Sequence, residues 1–295
     1  MLRRTKYSDV PTAILTSDWH LREDVPICRI DDYWTAQWRK VDYVSALQKR
    51  FDCIVIHAGD LFDKWKPSPY LLRQTILHIP NKFYTVYGQH DLPQHSLELV
   101  DKCGINVLQA AGKLRILDTC HYGQEPNNPS FILHPWSKGK REILVWHHLT
   151  YITKPFPGAS GGMAEGLLRK YPEYDLMLTG DNHATFTATY KNHLLVNPGS
   201  LMRMDADQIN HKPSVFLWYA KTNTFQQVFL PIEEGVVSRE HLEKKKQRDK
   251  RIDAFINTLN VDYEHGVSFE DNIETFLKKN TVKQEVKSII YKSIQ

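Results

Sequence analysis

The sequence contains little cysteine and no long hydrophobic run. Its 295 residues include four cysteines, and no two of them form a Cys-x-x-Cys pair. Isolated thiols exclude a disulfide scaffold and a zinc ribbon, and they are typical of a reducing compartment. No apolar stretch is long enough to cross a bilayer, and the N-terminal residues lead directly into a short apolar segment, so no signal peptide is predicted. These absences predict a soluble cytoplasmic protein with no membrane partner.

Charge of one sign is also scarce. The formal net charge is +4, from 38 basic and 34 acidic residues, and this is too small to identify nucleic acid as a partner. The 14 glycines and 15 prolines follow no repeat, and a hydrophobic fraction of 41% is too high for a disordered chain. Histidine is the residue type that stands out, with 14 occurrences.

Short apolar segments alternate with amphipathic ones along the first 235 residues. Strands are predicted over residues 12–16, 53–56, 83–87, 106–108, 114–117, 131–134, 142–146, 176–179, 185–190, 194–196, 215–219 and 225–230. Helices are predicted over residues 32–50, 68–78 and 96–102. Buried strands interleaved with helices indicate an α/β layered fold. The composition then becomes charged and helical, so we predict a domain of residues 1–235 and a helical extension of residues 236–295.

Polar clusters follow five of the predicted strands at their carboxyl ends. They are Asp18/His20, Asp60, Gln89/His90, His147/His148 and Asp181/His183. Because ligand sites of open α/β sheets lie at the carboxyl ends of strands, we expect these clusters to converge. Alternate residues of an extended segment share a face, so Asp18 and His20 can hold one ion, and the two oxygens of Asp60 can bridge two. Mixed imidazole and carboxylate ligands favour Mn²⁺, Fe²⁺ or Zn²⁺.

These motifs, in this order and spacing, resemble those of the calcineurin-like metallophosphoesterases over about residues 10–235. The resemblance implies a four-layer αββα sandwich with a short helical C-terminal extension. The segment Gly59 to Ser68, which reads GDLFDKWKPS, is similar to the GDLF-x4-PS segment of SbcD-type DNA repair nucleases. Asn197-Pro198-Gly199-Ser200 is similar to a turn common across the superfamily.

The resemblance implies two divalent metal ions, with Mn²⁺ favoured and Mg²⁺, Fe²⁺ or Zn²⁺ as alternatives. The first ion would be held by Asp18, His20, Asp60 and His183, and the second by Asp60, Gln89, His147 and Asp181. His147 is preferred to His148 because the superfamily's ligand usually ends its strand as the first histidine. His90 would act on the leaving oxygen of a phosphodiester. Asp63 would orient His90, or else be a solvated loop carboxylate.

Two departures from the family pattern fall on the second metal. The family has Asn where this chain has Gln89, and it has His where this chain has Asp181. An additional methylene moves the amide oxygen outward, and an anionic oxygen ligand favours harder ions such as Mn²⁺ or Mg²⁺. We therefore expect a second site that is weaker, differently selective, or filled only with substrate.

The resemblance implies a metal-dependent DNA nuclease of a repair complex, with an SMC-like ATPase docked on the C-terminal helices and a homodimer as a further possibility. The candidate basic contacts to the DNA backbone are Lys64, Lys66 and Arg203. One alternative is a phosphodiesterase or phosphatase for a small molecule such as a cyclic nucleotide. Another is a binding protein with an impaired second metal site, which Gln89 and Asp181 favour.

Overall fold

The chain folds as two units, Met1–Ser238 and Arg239–Gln295. The structure is a computed structural model that describes residues 10–117, 131–133, 141–154, 158, 160–261 and 269–294. For residues 131–133, 257–261 and 294 it describes the backbone alone. Cys120, one of the four cysteines, lies outside these residues, whereas Cys28, Cys53 and Cys103 are free and buried thiols.

Two β-sheets form the centre of the first unit. The six-stranded sheet contains β1 (Ala13–Thr16), β2 (Ile54–His57), β3 (Phe83–Thr85), β4 (Leu114–Ile116), β12 (Ser214–Tyr219) and β13 (Thr224–Phe229). Its order is β13-β12-β1-β2-β3-β4, with β1 to β4 parallel and β12 and β13 antiparallel to their neighbours. The carboxyl ends of β1, β2 and β3 therefore lie at one edge of this sheet.

The second sheet has five strands, β5 (Phe131–Leu133), β6 (Arg141–His147), β9 (Leu176–Gly180), β10 (Phe186–Tyr190) and β11 (His193–Asn197). Its order is β10-β11-β9-β6-β5, and the central strands β11, β9 and β6 are parallel. His147 of β6 pairs with Gly180 of β9, so these two strands end side by side. A small parallel pair is formed by β7 (Thr150–Tyr151) and β8 (Gly162–Met163).

Four layers result from the way the helices cover the sheets. A buried cluster that includes Leu15, Ile56, Val145, Leu178 and Phe216 lies between the two sheets. The helices α1 (Tyr33–Phe51), α2 (Pro69–His78) and α3 (Gly104–Ala110) cover the six-stranded sheet, and α4 (Ala164–Lys170) covers the five-stranded one. This arrangement confirms the α/β fold class and the αββα sandwich.

Local chemistry explains where the helices begin. The side chain of Asp32 accepts a hydrogen bond from the Thr35 amide at the start of α1, and Ser68 does the same for the Leu71 amide at the start of α2. Such caps satisfy amides that have no partner within the helix. The sequence prediction for residues 32–50 and 68–78 therefore agrees with the structure to within a residue.

Two sequence predictions were wrong, and one helix was missed. Residues 106–108, predicted as a strand, belong to α3, where Ile105 and Leu108 are buried at a helical spacing of three. The predicted helix over residues 96–102 is a 3₁₀ segment, Leu97–Lys102, preceded by another at Pro93–His95. Helix α4 was not predicted, because two full helical turns give too few repeats for the periodicity to be recognised.

The second unit consists of α5 (Glu240–Val261), α6 (Phe269–Lys279) and α7 (Gln284–Ile294). The ring of Phe255 meets the ring of Phe276 edge-on at 5.4 Å, and Ile273 and Leu277 of α6 are buried. The predicted helical extension is therefore present. Within the described part of the chain, no helix has the length and apolar character needed to cross a membrane.

Candidate metal centre

Sharp turns follow the strands that carry the predicted ligands. Asp18, His20, Asp60 and Asp181 have positive φ angles of 50°, 43°, 57° and 76°. Residues other than glycine rarely adopt this conformation, which costs about 1–3 kcal/mol each and is concentrated at functional sites. The turn after β1 and the turn after β2 are joined by two hydrogen bonds. The Asp18 amide donates to the Gly59 carbonyl at 3.1 Å, and the His20 amide donates to the Asp60 carbonyl at 3.0 Å.

The first ligand group contains Asp18, His20 and His183, each with one ligand atom within 4.8 Å of the others. The Nε2 atoms of His20 and His183 lie 3.2 Å apart. One oxygen of Asp18 accepts a hydrogen bond from the Asp181 amide at 3.0 Å. Its other oxygen, Oδ2, is buried and has no hydrogen-bond partner among the described residues. Two imidazole nitrogens and one carboxylate oxygen are thus directed at one point.

The second group contains Asp18, Asp60 and His147. His147 is fully buried, and its Nδ1 lies 2.6 Å from the Ala58 carbonyl oxygen. This contact requires Nδ1 to carry a proton and to donate it, so Nε2 is the atom that can bind a metal. His147 Nε2 lies 3.3 Å from Asp60 Oδ2.

Asp60 joins the two groups. Its Oδ2 lies 3.5 Å from His20 Nε2 and 3.3 Å from His147 Nε2. Its Oδ1 accepts a hydrogen bond from the His90 amide at 2.8 Å. The hydrogen bond from the His90 amide fixes the Asp60 carboxylate. Its Oδ2 thus lies near a nitrogen of each ligand group, as a ligand shared by two ions would have to lie.

Gly88 leaves the space that the Asp60 carboxylate occupies. A Cβ atom at residue 88 would lie 2.0 Å from Asp60 Oδ1, far closer than two unbonded atoms can come. Any side chain at this position would therefore displace the Asp60 carboxylate. The glycine of the Gly88-Gln89-His90-Asp91 motif is explained by this contact.

The two residues that depart from the family pattern contact each other. The side-chain amide of Gln89 donates to Asp181 Oδ1 at 2.6 Å. Asp181 Oδ1 lies 4.0 Å from His147 Nε2, and Gln89 Oε1 is buried without a hydrogen-bond partner in the described structure. Gln89, which is longer than the family's Asn, and Asp181, which is shorter than the family's His, therefore contact each other across the predicted second site.

His90 lies beside the first ligand group, with its ring centroid 4.8 Å from that of His20. Its Nδ1 lies 2.9 Å from the main-chain carbonyl oxygen of Asp63, so the opposite nitrogen is the one available to a substrate. The Asp63 carboxylate instead pairs with Arg22 at 3.0 Å. Asp63 therefore contacts His90 through its main-chain carbonyl, while its carboxylate forms an ion pair with Arg22.

The remaining predicted residues lie as follows. The ring of His148 stacks on Trp146 at 3.9 Å, which leaves His147 as the histidine next to Asp60. Lys64 and Lys66 are exposed and line a cleft of about 400 Å³ together with His90. Arg203 is 5% exposed and donates to the carbonyl oxygens of Ile209 and Glu233. The prediction that Arg203 contacts a substrate was wrong, because its guanidinium group is used to hold two loops.

Asp91 is a residue whose role the sequence did not reveal. Its buried carboxylate accepts hydrogen bonds from the amides of Leu61, Phe62 and Gly88, at 3.2, 3.1 and 3.1 Å. It thereby ties the loop that carries Asp60 to the loop that carries Gln89 and His90. The only sequence signal was its place in the Gly88-Gln89-His90-Asp91 motif.

The Asn197-Pro198-Gly199-Ser200 turn supports the other side of the cluster. The Asn197 side chain donates to the carbonyl oxygens of Asn182 and Ala184, on either side of His183. The Ser200 amide donates to the His183 carbonyl at 3.1 Å. The turn is therefore a support for a ligand and not an ordinary loop.

Sequence comparison agrees with this geometry. The family profile described as a calcineurin-like phosphoesterase superfamily domain matches residues 13–221. The chain belongs to this superfamily. No curated protein sequence is significantly similar to the chain.

Three solved structures illustrate the likeness. An archaeal phosphodiesterase is 14% identical, with 74% of this chain and 99% of that chain covered and a TM-score of 0.42. A metallophosphoesterase from Sphaerobacter thermophilus is 13% identical, with 76% and 88% covered and a TM-score of 0.39. Vacuolar Protein Sorting 29 from Cryptosporidium parvum is 13% identical, with 74% and 95% covered and a TM-score of 0.37.

The donor set of this calcineurin-like phosphoesterase fits divalent metals. Two buried oxygens, Asp18 Oδ2 and Gln89 Oε1, accept no hydrogen bond from any described residue, and Asp60 Oδ2 lies 3.3 Å from the imidazole of His147. A buried polar atom without a partner costs about 1–3 kcal/mol, and a bound cation would offset that cost. Together with the imidazole nitrogens of His20, His147 and His183, these oxygens form a ligand set typical of first-row divalent ions.

The charges of the metal-free cluster support the same conclusion. Burial raises the pKa of Asp18, and the nearby His147 and His183 offset only part of this effect. Burial alone would lower the pKa of His147, but the Asp60 carboxylate outweighs it and raises that pKa to about 10. Burial alone would raise the pKa of Asp60, but the neighbouring His147 outweighs this effect and lowers it. A proton on His147 therefore occupies the place of a cation beside Asp60 in the absence of metal.

Proposed function

We propose that this metallophosphoesterase is a phosphodiesterase that hydrolyses the DNA backbone by a two-metal mechanism. The observation that carries the proposal is the pair of clefts beside the metal cluster. One cleft, of about 400 Å³, is lined by His90, Lys64 and Lys66. The other, of about 580 Å³, is lined by His183. A phosphodiester has an organic group on each side of its phosphorus, so it requires space on both sides, whereas a phosphomonoester requires it on one.

The residues divide the chemistry between them. Two divalent ions, when bound, would supply the charge that activates water and stabilises the phosphate oxygens. Asp18, His20 and His183 would hold one, His147, Gln89 and Asp181 the other, and Asp60 would contact both. The His90 amide holds the Asp60 carboxylate in place at 2.8 Å.

His90 would protonate the leaving oxygen. Nδ1 of His90 donates to the Asp63 carbonyl at 2.9 Å, so Nε2 is the nitrogen left for a substrate in the first cleft, and the imidazolium form would transfer its Nε2 proton to the leaving oxygen. General acid catalysis by a positioned histidine contributes roughly 10²–10⁴-fold in rate. Loss of the imidazole with the metal ligands intact is expected to reduce kcat by a factor in that range.

Local positive charge supports DNA as the substrate. Lys64 and Lys66 lie on the exposed loop of the cleft that contains His90, with the half-buried ring of Trp65 between them. Lysines bind backbone phosphates regardless of sequence, and an aromatic ring can stack an unpaired base. These contacts are local, which is consistent with a net charge of only +4.

One experiment tests this function. The purified full chain is incubated with Mn²⁺, Mg²⁺ or no metal, and with linear duplex DNA, single-stranded DNA or a chromogenic phosphodiester. Metal-dependent DNA cleavage is expected, and Asp60→Asn should abolish it while the exposed Asp101→Asn, a matched control, should not. Cleavage of the chromogenic ester alone would favour a small-molecule phosphodiesterase instead.

A binding protein with an impaired second metal site is the second candidate. The specific observation in its favour is the 2.6 Å hydrogen bond from Gln89 to Asp181, which uses an oxygen that a second ion requires. This candidate predicts one bound ion per chain and no hydrolysis with any metal. Turnover in the assay above would exclude it.

We also propose that the second unit docks on the coiled coil of an SMC-like ATPase. Its support is a stripe on α5 formed by Ile252, Phe255 and Ile256, which are 48%, 37% and 47% exposed even though Phe255 contacts Phe276 of α6. Residues at this spacing share one helix face, and an exposed apolar stripe favours a helical partner. Ile252→Asp should abolish co-elution with the ATPase, whereas Val107→Asp, at a similarly exposed position in the first unit, should not. A chain that dimerises through this stripe would contradict the proposal.

A further inference from the structure

The larger cleft of about 580 Å³ opens between two sheet edges. Strand β10 is the edge of the five-stranded sheet, and β13 is the edge of the six-stranded sheet. Both contribute to the walls, with Phe186 from β10 and Phe225, Gln227 and Phe229 from β13. The cleft volume lies within the range of roughly 300–1,000 Å³ that is typical of small-molecule sites.

The cleft walls are aromatic. Phe225, Gln227 and Phe229 are alternate residues of one strand and therefore share a face. The buried Phe216 also lines the cleft, and its ring meets the ring of Phe225 edge-on at 5.3 Å. Phe229 is 56% exposed, although large apolar side chains are usually buried. An exposed aromatic ring in the wall of a cleft favours a planar ligand.

Polar groups lie beside these rings. Gln227, Asn210 and Lys212 line the same cleft. The Gln227 side-chain amide donates to Ser214 Oγ at 2.9 Å, and Lys212 is exposed. Amide side chains can pair with the edge of a heterocyclic base, and an ammonium group can contact a phosphate. The combination of stacking faces with hydrogen-bonding edges matches a nucleobase better than it matches an aliphatic group.

The cleft and the metal cluster share one residue. His183 lines the cleft, while the Nε2 atom of the same residue lies 3.2 Å from His20 Nε2. A ligand whose phosphate binds at the cluster would therefore have its neighbouring group on the side of this cleft.

We infer that this cleft binds the nucleobase next to the scissile phosphate, stacked on Phe229. The inference rests on the proposed function and deepens it, since it names the part of the substrate that the site recognises. Base stacking on an aromatic side chain is worth about 1–3 kcal/mol per base, which corresponds to roughly 5- to 150-fold in affinity.

Equilibrium binding of three ligands tests this inference without requiring turnover. Deoxyadenosine monophosphate, deoxyribose 5-phosphate and inorganic phosphate are titrated into the Mn²⁺-loaded full chain. The nucleotide is expected to bind about 5-fold or more tightly than the sugar phosphate. Phe229→Ala should reduce this ratio to nearly 1 and leave the affinity for deoxyribose 5-phosphate unchanged. Phe269→Ala, at an exposed phenylalanine in the second unit, is the matched control and should retain the ratio.

A further ligand keeps the result decisive. Deoxyadenosine without phosphate, at millimolar concentration, should give saturation-transfer signals with the wild type that are lost in Phe229→Ala. Equal affinity for nucleotide and sugar phosphate in the wild type would overturn the inference. So would an unchanged ratio in Phe229→Ala. Failure of the proposed function would instead appear as absent DNA cleavage, whatever the base preference.

Discussion

Substitution of Asp91 by Asn tests whether one buried carboxylate holds the two catalytic loops together. Its Oδ2 accepts from the amides of Leu61 and Gly88, and its Oδ1 accepts from the amide of Phe62. Asparagine retains one oxygen and replaces the other with a second donor. At least one buried amide would then face another N–H group.

The expected loss of stability follows from these contacts. An amide left without an acceptor costs about 1–3 kcal/mol, and hydrogen bonds to a charged acceptor are stronger than those to a neutral one by about 1 kcal/mol. A second effect has the opposite sign. Burial and then the nearby Asp60 raise the pKa of Asp91 to about 7, which means that its charge is unfavourable in the folded state. Removal of that charge therefore recovers part of the lost stability. We therefore expect Asp91→Asn to lower the free energy of unfolding by about 2 kcal/mol at pH 8.

The assay is urea unfolding of the metal-free chain, followed by tryptophan fluorescence. All seven tryptophans lie before residue 239, so the signal reports the first unit alone. Asp101→Asn provides the control for an exposed position and should change the free energy of unfolding by less than about 0.5 kcal/mol. If Asp91→Asn changes it no more than this control, the carboxylate does not hold the loops and the reasoning is refuted.

The remaining predictions concern metal, salt and the two unusual ligands. Because the pKa of His147 is raised to about 10 in the metal-free fold, a proton competes with metal at neutral pH. Apparent affinity should therefore rise by about tenfold per pH unit between pH 7 and 9, and a calorimetric titration with pH-independent affinity would contradict this. The same raised pKa stabilises the metal-free fold fully below pH 6.5, so its urea midpoint should fall as the pH rises toward 10. The double variant Lys64→Ala/Lys66→Ala should weaken DNA binding and reduce the slope of log affinity against log salt by roughly 2, and an unchanged slope would remove both lysines from the interface. Gln89→Asn combined with Asp181→His should bind the second ion more tightly than the product of the two single effects predicts, whereas an additive double-mutant cycle would show that their 2.6 Å contact is unimportant.

Most of the fold could be predicted from the sequence because its strands are short, apolar and bounded by polar turns. The segment 53–56 predicts β2 almost to the residue, since Val55 and Ile56 are wholly buried and Gly59 follows. Periodicity failed for short helices, as at α3 and α4, where a few buried residues do not define a period. It also cannot show the order of strands across the two sheets, which depends on contacts between distant segments.

The candidate site was predicted from its position at the strand ends and from the family resemblance. The structure brings Asp18, His20, Asp60, His147 and His183 together. Long-range contacts explain what the sequence missed. Nothing near Arg203 in the sequence indicates that Ile209 and Glu233 occupy its guanidinium. The role of Asp91 likewise depends on amides about 30 residues away in the chain.

The stoichiometry and bridging of the metal ions test the central claim most directly. Mn²⁺ binding to the full chain, measured by calorimetry and by mass spectrometry under native conditions, should give two ions per chain. Because Asp60 Oδ2 lies within 3.5 Å of both His20 Nε2 and His147 Nε2, Asp60→Asn should weaken both ions together, while Asp101→Asn should weaken neither. A single ion in the wild type, or two ions that are unaffected by Asp60→Asn, would contradict a two-metal site bridged by Asp60.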